Sequence, residues 1–586
     1  MDNIKEVKAP WLNQYGEVPA TLEYPPLTMY QMIERMCETY PNNIAYEFVG
    51  RKTKYKKLIQ ELSRTAKALY ALGVRSGDRV TICMPNTPQA LAVFYALNKI
   101  GAIANMTHPL SAPGEIEFYL KDSESHMVLT LDQFAGKVLE AASKVPYPVT
   151  VIVTKVQDAL SLPVKIGYQL TQKKYEIPEK PVAEKDQIVL WSKFMHAASS
   201  VTEDVEDHTR LDTDAGAILY SGGTTGTTKG ILLSNRNFNA LGLQTAAASG
   251  YPSLAGMKML AVMPIFHGFG LGVCIHTALI SGMDCILVPK FNVDSYTDLL
   301  KKKKPNLIAG VPTLFEALLR NKNLDGVDLS YLRGVFSGGD SLSIELKRKV
   351  DEFLKAHNAP VQIREGYGTT ECVTASCLTP KDMYKEGSIG IPFPDTFYKI
   401  VKVGTIEEVP YGQEGEICLS GPTVMMGYNN NPTETENTLR THEDGRVWLH
   451  TGDLGIMDEE GFVYFRQRIK RMIITAGYNV YPSQVENIID AHPSVLISCV
   501  IGVRDPYKME KIKAFVVLRP GVEKTPAVKK EILDYCRKHI AKYAMPYAIE
   551  FRDELPKTLV GKVAYRKLEE EEASKPVKAE KKDVED

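Results

Sequence analysis

Residues 215–243 read AGAILYSGGTTGTTKGILLSNRNFNALGL, and eleven of them, YSGGTTGTTKG from Tyr220 to Gly230, hold four glycines, four threonines and one lysine. An apolar run closes at Tyr220, and Ser234 or Asn235 can cap a following helix, so the glycine stretch is expected between a strand and a helix. Gly222, Gly223, Gly226 and Gly230 let backbone N–H groups approach an anion. Ser221, Thr224, Thr225 and Thr227 supply hydroxyls, and Lys229 adds a positive charge. The stretch reads as a phosphate cradle; a flexible hairpin would account for the glycines but not for four threonines beside a lysine. A P-loop of the GxxxxGK[ST] type is disfavoured, because Lys229 follows Thr228 and precedes Gly230.

Working outward, short apolar runs ending in Gly, Pro or Asn recur: RVTICMPN, VTVIVT, MLAVMPIF, CILVP, NLIAGVP and LRGVFSGG. Amphipathic stretches such as QALAVFYALNKIG and TLFEALLRN lie between them. This alternation predicts an α/β fold with layered, largely parallel sheets. Ligands of such sheets bind where strands end, which directs attention to the loops after Tyr220, Phe336 and Arg364. A second boundary falls near residue 467. Beyond it CVIGVRD, IKAFVVL and KKEILDYCRKHIAKY predict a small α+β unit. The expected organisation is a large domain over 1–467, a hinge over 468–470, a small domain over 471–568 and a charged, disordered tail over 569–586.

The 586 residues carry 70 Lys plus Arg against 71 Asp plus Glu, so no general positive field gathers nucleic acid. Nine cysteines lie scattered without a CxxC pair, and the opening MDNIKEVKAP lacks an apolar stretch; both favour reduced thiols and a cytoplasmic setting. The segment Met259 to Pro289 is long and almost uncharged. Pro264, Gly268, Gly270, Gly272, Gly282, His267 and His276 break it, so it is read as strand, loop, buried helix and strand rather than as a membrane span. KKKKP at 301–305 is read as the polar end of a helix.

The glycine stretch closely resembles the signature of the adenylate-forming superfamily, which includes acyl-CoA synthetases, luciferases and peptide-synthetase adenylation domains; Thr228 stands where the common form has proline. Further motifs follow in the family's order. FSGGD, with Gly338, Gly339 and Asp340, resembles the adenine-binding turn. GYGTTE, with Gly366, Tyr367, Gly368, Thr369, Thr370 and Glu371, resembles the aromatic and acidic motif. TGD ends at Asp453 and RIK opens at Arg468, matching the ribose-binding pair, and PKTLVGK ends at Lys562, where the family carries its catalytic lysine. The resemblance covers nearly the whole chain.

It implies a large adenylation domain of layered α/β subdomains with a small, mobile α+β domain, and a two-step reaction. A carboxylate attacks the α-phosphate of ATP to give an acyl-adenylate, and the thiol of CoA then displaces AMP. Lys562 would bridge carboxylate and phosphate oxygens as charge shifts between them. Glu371 would hold Mg²⁺, with Thr224 near the metal and Thr225 at the leaving phosphates. Tyr367 would stack on adenine, and Asp453 and Arg468 would meet the ribose. His267, in PIFHGFG, either orients the acyl group or is a satisfied core histidine. The small domain would turn about Lys470, where many relatives have aspartate, and bring Gly477 and Tyr478 to the CoA channel.

The opening segment and the stretch before the glycine loop resemble bacterial long-chain fatty acyl-CoA synthetases, and GVPTLFEALL with Gly268, Gly270 and Gly272 could line an acyl tunnel. A long-chain fatty acid:CoA ligase is therefore the expected activity. An aryl- or medium-chain ligase of the same fold, and a non-catalytic fatty-acid carrier, are the alternatives. LPVKIGYQLTQKKY is either an interfacial segment for peripheral membrane contact or a solvated helix. Whether the chain pairs as a homodimer stays open.

Overall fold

The computed structural model describes residues 7–171, 175–221, 228–290, 293–475, 478–505, 508–558 and 561–575. Two large sheets organise the chain up to the strand Ile391–Pro392, and the later strand Gly427–Tyr428 joins one of them. One runs, edge to edge, Gly427–Tyr428, Gly230–Ser234, Ala215–Tyr220, Ile103–Thr107, Arg79–Cys83, Met127–Leu131, Thr150–Thr154 and Gln187–Leu190. The other runs Ile391–Pro392, Cys377–Leu378, Ile363–Tyr367, Gly334–Ser337, Leu307–Gly310, Lys258–Ala261, Asp284–Leu287, Ile44–Phe48 and Arg51–Lys54. Their inner strands are parallel and buried on both faces, which is why MVLTL and TVIVT read as continuous rather than alternating apolar runs.

The helix Pro88–Ile100 is buried along its whole length. A helix apolar on every side has no face for water and must be enclosed. Thr87 caps its start by accepting from Ala90 N–H, and Gly101 ends it at φ 84°, a left-handed conformation that glycine adopts without a Cβ penalty. Phe94 meets Phe238 of the helix Asn235–Ala248 edge-on at 6.3 Å. Each such ring taken from water contributes about 1.5–3 kcal/mol.

The glycine stretch departs from expectation. Ala215–Tyr220 pairs antiparallel with Gly230–Ser234, Tyr220 opposite Gly230, so the stretch spans a hairpin between two strands. Ile231, Leu232 and Leu233 form the second strand because their branched side chains suit a buried sheet. Only then does the helix start, with Ser234 as its cap accepting from Asn237 N–H at 3.1 Å. The segment 259–289 does form strand, loop, buried helix and strand: Lys258–Ala261, a π-helix Phe269–His276 leading into Thr277–Ile280, and Asp284–Leu287. Among the described residues no helix is long and apolar enough to cross a membrane. Lys301, Lys302 and Lys303 end the helical turn Leu299–Lys303, where Lys303 pairs with Glu47.

A third, five-stranded sheet joins Phe397–Val401, Gly415–Ser420, Val447–Met457, Leu439–Thr441 and Val463–Arg468. After the turn Ile469–Arg471 comes a fourth, built from Ile473–Thr475, Tyr478–Val480, Val495–Asp505, Met509–Leu518 and Ala548–Arg552. Pro482–Asp490 and Pro526–His539 contribute buried residues to a cluster of this sheet's own. Residues 569–573, expected in a disordered tail, instead complete the helix Tyr565–Ala573. Buried Leu568 and the pairing of Glu572 with Lys513 at 2.6 Å anchor this otherwise charged run; residues 576–586 lie outside the described residues.

His276 is fully buried, its Nδ1 accepting from Tyr95 O–H at 3.1 Å and its Nε2 donating to Asn239 Oδ1 at 2.9 Å. Burial pushes its pKa down to about 3. Between that value and the ordinary histidine range the unfolded chain binds a proton that the folded chain does not, so stability falls as pH falls below about 6.5. His276→Gln is expected to flatten that acid slope by about 1.4 kcal/mol per pH unit, read from urea unfolding at pH 5.0–6.5.

Candidate active site

Adjacent parallel strands Gly334–Ser337 and Ile363–Tyr367 end side by side, and their loops form one wall of a crevice. A Cβ on Gly338 would stand 3.2 Å from Gly366 O, and one on Gly339, at φ 79°, would stand 3.5 Å from Lys562 Cε. The glycines thus let backbone from two strands and a lysine from the small domain converge. In the second loop, a Cβ on Gly368 would lie 2.3 Å from Thr374 O. Thr369 N–H points to Cys372 Sγ at 3.3 Å, and Thr370, Glu371 and Cys372 form a short turn.

Tyr367 O–H donates to Asp453 Oδ2 at 2.7 Å. Asp453 faces Arg468 across two paired strands, with Arg468 Nε 3.4 Å from Asp453 Oδ1. Burial raises the carboxyl's pKa, and Arg468 opposes that shift. Oδ1 is buried and accepts no hydrogen bond among the described residues, which suits it to a ligand hydroxyl. The turn presenting Asp453 is held by Glu416, which accepts from Gly452 N–H at 3.0 Å; Gly452 sits at φ 70°.

Glu371 lies on the same side of the site. Tyr428 O–H donates to its Oε1 at 2.9 Å, and Met425 N–H donates to its backbone oxygen at 2.8 Å. Lys229 pairs with Glu434 and stands over the Tyr428 ring at 4.8 Å. Ser221 N–H reaches Lys229 O at 3.3 Å, joining the two ends of the glycine stretch. Gly222, Gly223, Thr224, Thr225, Gly226 and Thr227 lie outside the described residues, as does Gly477.

Lys562 comes from the small domain on a turn in which Thr558 N–H donates to Lys562 O at 2.7 Å. Two contacts hold this turn against the large domain: Thr313 O–H donates to Gly561 O at 2.8 Å and Val563 N–H to Asp340 Oδ2 at 3.3 Å. Burial lowers the ammonium's pKa; Asp340, Asp453 and Glu371 favour the charge and Arg468 opposes it. His267 Nδ1 accepts from Phe269 N–H at 3.2 Å, and burial, with Lys562 nearby, pushes its pKa down to about 3, so it is neutral at physiological pH. Lys470 lies in the turn joining the third and fourth sheets, and exposed Tyr478 stacks on Tyr543 at 4.6 Å within the small domain.

Behind the Gly338–Gly339 loop opens an apolar cavity of about 50 Å³, lined by Phe336, Phe269, Val273, Leu254, Met259 and Leu307 among others. Its wall differs from the expected one. Gly268, Gly270 and Gly272 are packed against other elements, a Cβ on Gly270 meeting Pro264 O at 2.0 Å, while Phe269 and Val273 of the same π-helix face the cavity.

The family model of AMP-binding enzymes matches residues 33–429, and that of the AMP-binding enzyme C-terminal domain matches residues 484–562. The chain belongs to the AMP-binding enzyme family. Relatives of this AMP-binding enzyme include a long-chain-fatty-acid–CoA ligase of Bacillus subtilis, 35% identical over 96% of this chain and 98% of the relative. A ligase of the same name from Escherichia coli O6:H1 is 32% identical over 97% and 99%. Among solved structures, ATP-bound MatB from Rhodopseudomonas palustris superposes with a TM-score of 0.77 at 26% identity, covering 94% of this chain and 99% of that one. An anthranilate CoA ligase in complex with anthranoyl-AMP shares the fold, with a TM-score of 0.79 at 24% identity over 95% and 98%.

Sequence reasoning missed Tyr428, Glu434 and Glu416. The signal for Tyr428 was present in MGYNNNP, an aromatic residue between a glycine and an asparagine-rich turn. Gly368→Ala places its methyl against backbone at Thr374 and Ala375, which cannot yield without opening the loop. It is expected to weaken ATP binding at least roughly tenfold, measured by calorimetric titration.

Proposed function

We propose that this AMP-binding enzyme is an ATP-dependent long-chain fatty acid:CoA ligase. The observation that carries the reading is Lys562 held against the Gly338–Asp340 loop, whose glycines also line the apolar cavity, in the field of Asp340, Asp453 and Glu371. In this reading an acyl chain entering the cavity leaves its carboxylate at that loop. Each methylene it buries is worth roughly 0.8 kcal/mol.

In the first step a carboxylate oxygen attacks the α-phosphorus, forming the acyl–O–P bond as the bond to pyrophosphate breaks. The Lys562 ammonium bridges the two anions, and its low-dielectric setting strengthens that attraction. Asp453 and Arg468 hold the ribose, Tyr367 and the Gly338–Asp340 turn hold adenine, and Lys229 with Ser221 and residues 222–227 hold the phosphates. Glu371 offers a carboxylate whose Oε2 has no partner among the described residues, so its hard-oxygen chemistry fits Mg²⁺, which would offset phosphate charge when bound. Neutral His267 acts as a hydrogen-bonding group toward the carboxylate rather than as a cation.

In the second step the small domain turns about Lys470 and withdraws Lys562, so that Gly477 and Tyr478 flank the thiol's approach. The CoA thiol releases its proton to solvent, its sulfur attacks the acyl carbonyl carbon, the C–S bond forms and AMP leaves with the C–O electron pair. Peripheral contact with a bilayer completes the reading: the helix Leu162–Thr171 exposes Val164 and Ile166 beside Lys165, as an interfacial element would.

AMP release with ATP, Mg²⁺ and CoA is expected to peak among long chains in a panel running from acetate to oleate with benzoate. A maximum at benzoate or short acids would overturn the substrate, and silence throughout would favour a carrier. Lys562→Ala is expected to cut acyl-adenylate formation by about 10²–10³-fold while ATP still binds. Unchanged acyl-AMP formation would remove Lys562 from the chemistry.

A further inference from the structure

The strand Gly427–Tyr428 and the helix Pro432–Thr438 form the outer support of the glycine hairpin. Tyr428 pairs with Ile231 and Gly427 with Leu232, so this segment continues the sheet beyond the second strand of the hairpin. Asn431 caps the helix by accepting from Glu434 N–H at 3.1 Å, and Thr435 Oγ1 accepts from Tyr428 N–H at 2.9 Å. The tyrosine is therefore fixed by its own backbone on both sides. Its side chain is largely buried, and its hydroxyl donates to Glu371 Oε1 at 2.9 Å.

That one side chain touches two parts of the site. Its hydroxyl holds Glu371 Oε1, while Oε2 has no partner among the described residues, and its ring lies under the Lys229 ammonium at 4.8 Å. Lys229 is held from the other side by Glu434, a residue of the same supporting segment. A carboxylate on a turn of three residues, followed by Val373 at φ 63° and Thr374 at φ 128°, has no regular element to orient it. The Tyr428 hydroxyl supplies that orientation. A charge-assisted hydrogen bond of this kind is stronger than a neutral one, and removing it frees the carboxylate to rotate.

We propose that Tyr428 is a positioning residue that sets the Glu371 carboxylate for a divalent cation and couples it to Lys229, so that the metal carboxylate and the phosphate lysine are placed as one unit. The inference rests on the reading of Glu371 as the metal-holding group. Tyr428 touches neither the nucleotide nor the acyl group in this scheme; it acts through Glu371 and Lys229.

The test compares wild type with Tyr428→Phe, which removes the hydroxyl and keeps the ring under Lys229. Mn²⁺ binding is followed by electron paramagnetic resonance in the presence of α,β-methylene-ATP, and binding of the same nucleotide analogue is titrated separately in EDTA. The variant is expected to bind Mn²⁺ roughly tenfold more weakly, to bind the analogue in EDTA as wild type does, and to regain adenylation rate at high Mg²⁺. A general structural defect would instead weaken analogue binding without metal and would not be rescued by the cation; that result overturns the proposal. Unchanged Mn²⁺ affinity in the variant overturns it as well, while leaving Glu371 as the metal group. Absence of any nucleotide-dependent Mn²⁺ site in wild type would remove the Glu371 reading and this inference together.

Discussion

An ammonium must be taken out of water and set among carboxylates on a wall that belongs to another domain. Lys562 meets that demand on a turn pinned by Thr313 and Asp340, and the arrangement sets the terms for most of what surrounds it. Burial weakens the lysine's hold on its proton, whereas Asp340, Asp453 and Glu371 restore the charged form. Such a balance is delicate, and a change in any of these carboxylates alters the lysine as well. The glycines beside it serve the same crevice: a Cβ on Gly338 would crowd Gly366 O at 3.2 Å, and Gly339, which lies against Lys562, takes a left-handed φ of 79°.

The large domain is the rigid side of this contact. Its parallel strands are buried on both faces, and the enclosed helix Pro88–Ile100 joins the layers, so the strand ends carrying FSGGD and GYGTTE keep their separation. The small domain has its own hydrophobic cluster from Ile473 to Ile549 and touches the crevice through a few polar contacts. Polar contacts of that size exchange readily with water, in contrast to a packed core. A rigid wall with a separately packed partner is the mechanical arrangement that two successive reactions at one carbon call for.

Much of this was legible along the chain. Apolar runs of strand length alternating with helical periodicity announced the layered α/β class, and the breaks at Pro264, Gly268 and Gly270 told a buried strand–helix–strand unit from a membrane span. Tyr367, Asp453, Arg468, Glu371 and Lys562 stand in local motifs, so their candidacy was visible before their meeting was. The hairpin at Gly230–Ser234 was not foreseen, because a glycine-rich turn looks the same whether a strand or a helix follows, and the apolar ILL that decides it is only three residues long. The helix through Ala573 was hidden by charge: nothing local reveals that Leu568 is buried or that Glu572 finds Lys513.

By itself, then, the sequence determined the chemistry on offer: a glycine and threonine stretch for an anion, carboxylates and cations in named motifs, and apolar runs of a length that only layered sheets use. Those are properties of neighbours along the chain, set by backbone freedom, charge and periodicity. Only the tertiary structure decided which of them act together. Tyr428 reaches Glu371 from 57 positions away and Lys229 reaches Glu434 across 205, and the cavity takes its wall from Phe269 and Val273 rather than from the glycines beside them. Contacts of that range depend on how sheets stack and which face of a helix turns inward, which no local pattern encodes.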